Sequence, residues 1–336
     1  MSATPRSPRS IPLTGSRALD GLLLAAFAAI ALEFGHGPPL WIFVLAAMGL
    51  VPLAAVLGHA TQELAGRVGP LAAGVLQATL GNASELILGI VALQAGLVEV
   101  VKASLTGSII SNLLLVMGMA LLFGGLRREK QFINRTVAAT NATTLFLAAV
   151  GLVVPAVFSL GVYGELGPDH AATEYLSLGT AVILIAVYAI SLYFQFKSAR
   201  LPQNRVPTGR RRGPALAMLA SVVLIAVLSE LLVGELQVAQ RAFHGTDLFW
   251  GGVVFALIGN AAEHGVAISA ARRDEMDLAM AIGVGSSLQI ALLLAPALVF
   301  ISLLLGHPMS LVFSGIEVVA VVLSTLMMGM IAADGE

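Results

Sequence analysis

Gly81-Asn82-Ala83-Ser84-Glu85 recurs 178 residues later as Gly259-Asn260-Ala261-Ala262-Glu263. With that offset kept and no gap, Ile90 meets Ile268, Ala103 meets Ala281, Gly107 meets Gly285 and Ser108 meets Ser286. Chance recurrence of one pentapeptide in a Gly- and Ala-rich chain is conceivable. Agreement of a second segment at the same offset is much less so. Two consecutive elements of each half correspond, so one structural unit is used twice.

Both copies sit in apolar blocks. Of 336 residues, 58% are hydrophobic and 11% charged, whereas a soluble domain is about 45–50% apolar and about 25% charged. Blocks of about 18 or more apolar residues read as membrane helices. Ten such spans are expected, at about 18–34, 39–57, 68–94, 98–124, 137–158, 173–196, 214–233, 248–270, 277–304 and 309–331. The third, fourth, eighth and ninth are long and dotted with Gly, Ser and Asn, residues that let membrane helices pack closely or break locally. Gly21 to Leu32 reads as part of an uncleaved first helix, because Ala-rich helices produce triplets such as Ala29-Ile30-Ala31 without a signal-peptide cleavage site. There is no cysteine, which removes disulfides, thiolate metal sites and cysteine nucleophiles.

The basic residues set the orientation. With the N-terminus in the cytoplasm, 16 of the 18 Lys and Arg fall on the cytoplasmic side, and only Lys102 and Arg241 do not. The outer loop after span five carries Glu165, Asp169 and Glu174 instead. This positive-inside pattern supports the span count and suits a multi-pass protein of a cell inner membrane. The expected organisation is a disordered cytoplasmic tail (1–17), an extra first helix (18–36), a first repeat (37–196), a basic cytoplasmic linker (197–213) and a second repeat (214–336). The linker reads as a topogenic loop beside anionic lipid, not a nucleic-acid site. Span eight lies five spans after span three and runs the other way. The fold expected is therefore an all-α membrane protein with inverted-topology repeats, an architecture whose binding site lies at the bilayer midplane.

Glu85 and Glu263 each fall near the middle of an apolar span. A charge there costs about 2.5–3.5 kcal/mol on insertion scales, so such residues face the bundle interior and are functional by default. Each Glu follows its Asn by three residues and its Gly by four, which places all three on one helical face. Span four adds Ser108, Ser111 and Asn112; span nine adds Ser286 and Gln289. These residues, with Asn82 and Asn260, form a set of hard oxygen donors suited to calcium; sulfur is absent and His scarce, which argues against zinc or copper. Two carboxylates balance one divalent charge. Once the ion leaves, two bare carboxylates in a low-dielectric cavity repel each other and are poorly solvated, and both effects favour proton uptake. Ion and protons then exclude each other at one site, with up to two protons per calcium. His264 is a candidate proton relay beside Glu263. Glu230, His59 and Glu63 are candidates for an ion access route, each also readable as an interfacial polar residue.

Gly81 to Glu85 and Gly259 to His264 resemble the two α-repeats of the calcium/cation antiporter superfamily, in its calcium/proton exchanger branch. Val101 to Asn112 and Ile282 to Ala291 are similar to that branch's partner helices. The resemblance runs from about residue 18 onward. It implies a sodium/calcium exchanger-like fold and carriage of Ca²⁺ against protons by alternating access, with Glu85 and Glu263 as central ligands and no organic cofactor. The family has eleven helices, and this chain ends at Asp334-Gly335-Glu336, where a last helix would continue. The acidic stretch often found between the family's halves is replaced here by a basic one. The alternatives are sodium/calcium or other divalent-cation exchange on the same fold, which calls for more acidic positions in the repeats, and a cation channel. An enzyme is not expected, since no nucleophile–base pair or His-Glu-x-x-His motif is present.

Overall fold

The computed structural model describes residues 17–68, 70–126, 128, 130–166, 171–198 and 213–334. Residues 1–16 of the expected disordered tail, most of the basic linker and the last two residues of the chain lie outside them; Arg17, expected in that tail, instead begins the first helix. Every regular element among the described residues is helical. Lipid offers the backbone no hydrogen-bond partners, and a helix satisfies its own.

Twelve helices follow in order among the described residues. They are α1 (Arg17–Phe34), α2 (Pro39–Ala65), α3 (Pro70–Leu80), α4 (Ala83–Gln94), α5 (Val98–Gly125), α6 (Arg135–Tyr163), α7 (Ala171–Ser198), α8 (Gly213–Gly234), α9 (Leu236–Phe243), α10 (Asp247–Arg272), α11 (Met276–Leu304) and α12 (Gly315–Asp334). Among the described residues, eight segments are long and apolar enough to cross a membrane, namely α2, α5, α6, residues 171–194 of α7, α8, α10, α11 and α12. The first expected span is α1. The third is not continuous: it breaks into α3 and α4 at Gly81-Asn82, where Asn82 leaves the helical region at φ −111° and ψ 36°.

The tenth expected span also needs correction. Hydropathy starts it at 309, but the helix starts at Gly315. Met309 to Phe313 are buried without being helical. Their backbone is satisfied from outside: the Met309 N–H donates to Ser302 Oγ at 2.8 Å and the Leu311 N–H to Ser177 Oγ at 3.1 Å. Irregular backbone at membrane depth is tolerated where protein buries it and supplies partners.

Three stretches wind more loosely than an α-helix, as π turns at Ser111–Val116 in α5, Trp250–Phe255 in α10 and Ile290–Leu294 in α11. Close crossings rest on glycine. A Cβ on Gly107 would lie 2.1 Å from the Gly252 carbonyl oxygen, and one on Gly251 2.2 Å from that of Val100, so α5 and α10 meet backbone to backbone. Gly49 of α2 packs closely on α1, where a Cβ would lie 2.7 Å from Ala26 Cα. Small residues permit such contacts, and they drive association where lipid competes for apolar surface.

At the other end of α5, the chain that leads into α6 grips the turn between α10 and α11. Arg128 donates to the Arg272 carbonyl at 3.2 Å and pairs with Asp274 at 3.4 Å. Gln131 donates to the Ala271 carbonyl at 3.0 Å, and the Asn134 N–H donates to Asp277 at 2.7 Å. Asn134 also caps α6 by accepting from the Val137 N–H.

Candidate functional site

The polar residues of the two repeats meet in one buried chain of side-chain hydrogen bonds. The Asn260 amide donates to Ser108 Oγ at 2.8 Å, and the Asn112 amide donates to Asn260 Oδ1 at 3.1 Å. Asn112 also donates to Ser286 Oγ at 3.2 Å. Ser286 donates to Asn82 Oδ1 at 3.1 Å, and Asn82 donates to Gln289 Oε1 at 3.0 Å. Ser108, Asn112 and Asn82 come from one repeat; Asn260, Ser286 and Gln289 come from the other. All but Gln289 are buried, and Gln289 is partly so.

Local structure explains why the amides are available. Asn82 precedes the first residue of α4, where an Asn side chain ordinarily accepts from the helix's own N–H groups. It makes no such cap here, because both ends of the amide are committed to α11. Asn260 spends one amide hydrogen on the Ala256 carbonyl at 2.8 Å and the other on Ser108.

Glu85 lies in the first turn of α4 and packs against the second motif. A Cβ on Gly259 would sit 2.9 Å from Glu85 Cγ, so the glycine is the space the carboxyl group occupies. The Ser84 hydroxyl reaches Glu85 Oε2 at 3.0 Å and the Gly259 carbonyl at 3.3 Å. Ser84 is a contact that the motif spacing did not single out, since the other copy has Ala262 in its place. Glu263 stands one turn along α10 from Gly259, the residue against which Glu85 packs. Glu85 Oε1 and Glu263 Oε2 are buried and have no hydrogen-bond partner. An unpaired buried polar atom is costly, and two of opposite repeats, each on a carboxyl group, share one cluster.

Ser111 turns away from the chain of amides and lies 3.3 Å from His264 Nε2. His264, one residue past Glu263, thus touches α5 on a different side from the carboxyl pair. The access-route residues lie apart. Glu230 is exposed on α8. His59 is exposed, with Nδ1 at 2.8 Å from the Ala55 carbonyl of its own helix, and Glu63 pairs with Arg67. Among the described residues, none of the three bonds to the cluster, and no three of His, Asp and Glu gather into an acidic metal site. The oxygen set is two carboxyl groups plus amides and hydroxyls.

The sequence profile described as "Sodium/calcium exchanger protein" matches residues 38–197 and 214–335. The chain is 42% identical over 333 residues to a protein of Synechocystis sp. named Ca(2+)/H(+) antiporter, covering 92% of this chain and 88% of that one. A solved structure of native YfkE superposes with a TM-score of 0.82 at 36% identity, over 94% of this chain and 92% of that one. The sodium–calcium exchanger NCX_Mj superposes with a TM-score of 0.52 at 16% identity, over 91% of each chain, which is a likeness of fold alone.

Proposed function

Because the chain belongs to the sodium/calcium exchanger protein family, and because it is an all-helical, multi-pass membrane protein of that fold, we propose that it exchanges Ca²⁺ for protons by alternating access. One observation carries this reading: two carboxyl groups from opposite repeats each keep a buried oxygen without a partner in a single cluster. An apolar packing role leaves those oxygens unexplained. A divalent cation bound between them satisfies both at once and cancels their charge.

Glu85 and Glu263 hold the ion. Asn82, Asn260, Asn112, Ser108, Ser286 and Gln289 supply or orient further oxygens, and Ser111 orients His264, which is placed to pass protons. Calcium takes about six to eight oxygens, more than two carboxylates offer, so amide and hydroxyl groups complete the shell. When Ca²⁺ leaves, each carboxyl group binds a proton. That removes the repulsion between them and leaves two neutral groups that the apolar surroundings tolerate. The site is then loaded with Ca²⁺ or with protons, never both, and up to two protons move per ion. The two repeats supply the moving parts: they exchange conformations, opening the cluster to one side and then the other. The positive-inside pattern supports a cytoplasmic N-terminus in a cell inner membrane. The names of the relatives favour calcium over other divalent ions.

The test is Ca²⁺ uptake into proteoliposomes under an imposed pH gradient, with Glu85→Gln and Glu263→Gln as controls and a sodium gradient as the comparison arm. Uptake driven by the pH gradient and lost in both variants is expected. Uptake driven by sodium at uniform pH would replace this reading with sodium/calcium exchange, and ionic current across a planar bilayer would replace it with a channel.

A further inference from the structure

A third acid lies buried in the membrane region, away from the cluster. Glu317, in the first turn of α12, is 5% exposed. Its Oε2 accepts from the Ser314 N–H at 2.9 Å and from the Ser314 hydroxyl at 2.6 Å. The Glu317 N–H returns to Ser314 Oγ at 3.4 Å. This reciprocal Ser-x-x-Glu arrangement is a capping box, and it accounts for Oε2. It does not account for Oε1, which accepts from Thr106 Oγ1 of α5 at 2.7 Å. The rest of the surroundings are apolar, formed by Leu152, Val153, Phe313, Val318 and Val321. A helix cap works at a surface. Burying the acid and tying it to another helix costs more than capping requires.

Thr106 gives the carboxyl group two satisfied states. Its hydroxyl also lies 3.1 Å from the Lys102 carbonyl and 3.1 Å from that of Ala103, both in its own helix. With Glu317 ionised, Thr106 donates to Oε1. With a proton on Oε1, Glu317 donates to Thr106 Oγ1, and the Thr106 hydrogen turns to a backbone carbonyl. Rotation of one hydroxyl is the whole change, and every polar atom keeps a partner. Few charges face this group. α6 carries only Arg135 and Tyr163, at its two ends, and the π turn of α5 carries none. The α-helical part of α5 has Glu99 and Lys102, joined to each other at 2.9 Å.

The contrast with the transport cluster is one of ligand type. Glu85 and Glu263 keep unpartnered oxygens, as an ion site needs, whereas both Glu317 oxygens are occupied by donors. That environment has room for a proton and none of the extra oxygens a metal ion demands. Thr106 is two residues before Ser108 on the same helix, so movement of α5 acts on both places. We propose that Glu317 is a further proton-binding acid of the exchange cycle, beside Glu85 and Glu263, loaded and unloaded through Thr106 and never in contact with Ca²⁺. This rests on the Ca²⁺/proton reading.

Two transport modes of the full chain in proteoliposomes separate the possibilities. Ca²⁺ uptake driven by a pH gradient requires net proton movement; exchange of ⁴⁵Ca²⁺ for Ca²⁺ at equal pH does not. Glu317→Gln keeps the cap, because its carbonyl accepts from Ser314 and its amide donates to Thr106. We expect pH-driven uptake by this variant to fall about tenfold, with Ca²⁺/Ca²⁺ exchange within about twofold of wild type. Thr106→Val should show the same selective loss, and Thr106→Ser should restore uptake. Equal activity of Glu317→Gln and wild type in both modes would reduce Glu317 to a helix cap and overturn the proposal. A parallel fall in both modes would assign it a structural role and overturn it equally. A wild-type protein that exchanges Ca²⁺ for Ca²⁺ but ignores the pH gradient would overturn the antiport reading first, and this inference with it.

Discussion

At Gly81–Glu85 the backbone stops being helical for a turn, whereas at Gly259–Glu263 the same residue pattern runs through the middle of α10. The second copy has its irregularity one step earlier, in the π turn at Trp250–Phe255. Glu85 therefore lies in the first turn of a helix, where unpaired N–H groups and the helix dipole favour negative charge, and Glu263 lies where neither is available. Ser84 adds to the difference by bonding Glu85 and the Gly259 carbonyl, which Ala262 cannot do in the other copy. Four shared residues thus specify which oxygens meet, and packing specifies the shape in which each copy presents them. Under the alternating access proposed above, these two shapes are what the repeats exchange.

The largest effect expected is on the two acids themselves. Glu85→Gln and Glu263→Gln should each lower pH-driven Ca²⁺ uptake about 100-fold or more, as loss of a midplane functional acid does. Measurable uptake by either variant would show that one copy carries the ion alone.

Next come the repeat-equivalent glycines Gly107 and Gly285. Gly107 faces the backbone of Gly252, while a Cβ on Gly285 would meet nothing within 4 Å. Gly107→Ala should cost about 1–3 kcal/mol or more, as overpacking does, read as a lower melting temperature in detergent. Gly285→Ala should be neutral within about 0.5 kcal/mol. Equal melting temperatures for the two variants would mean that the crossing of α5 and α10 is looser than described.

Smaller again is the pair Asn82→Ala and Asn260→Ala. Each removes bonds worth about 0.6 kcal/mol, up to about 1.7, between membrane helices. Both should raise the KM for Ca²⁺, and Asn260→Ala should also lose more stability, since Asn260 is wholly buried and bonds its own helix as well. The smallest change comes from Ser84→Ala, which makes the first motif match the second. It should shift the KM for Ca²⁺ by about twofold, the scale of one interhelical hydrogen bond. No shift would leave helix position alone to distinguish the two acids.

Much of this was legible in the sequence. Span nine was expected at 277–304 and is found at Met276–Leu304, because long apolar runs bounded by charges leave little choice in lipid. The convergence of Asn82, Ser108, Asn112, Asn260, Ser286 and Gln289 followed from the repeat, since polar side chains on facing helices seek one another. The break at Gly81-Asn82 could not be placed in the same way. Gly259-Asn260 offers the same local chemistry and stays helical, so tertiary contacts decide between them. Hydropathy also misplaced the start of α12, because Met309 to Phe313 are as apolar as a helix but are held irregular by Ser302 and Ser177. Glu317 stood near the start of that run, where a buried acid and an interfacial one look alike until Thr106 of a distant helix comes within reach.

The π turns in α5, α10 and α11 have a mechanical consequence. Each stores an extra residue in a rod that otherwise obeys a fixed pitch. Released, that slack swings everything beyond it around the axis by a fraction of a revolution while the rod remains whole. Side chains can then be re-aimed inside the bilayer without exposing bare amides to oil, which a severed rod would do. The copy that is already severed, between α3 and α4, turns about a joint instead. The first half of the molecule thus carries both a joint and a twist, and the second carries two twists.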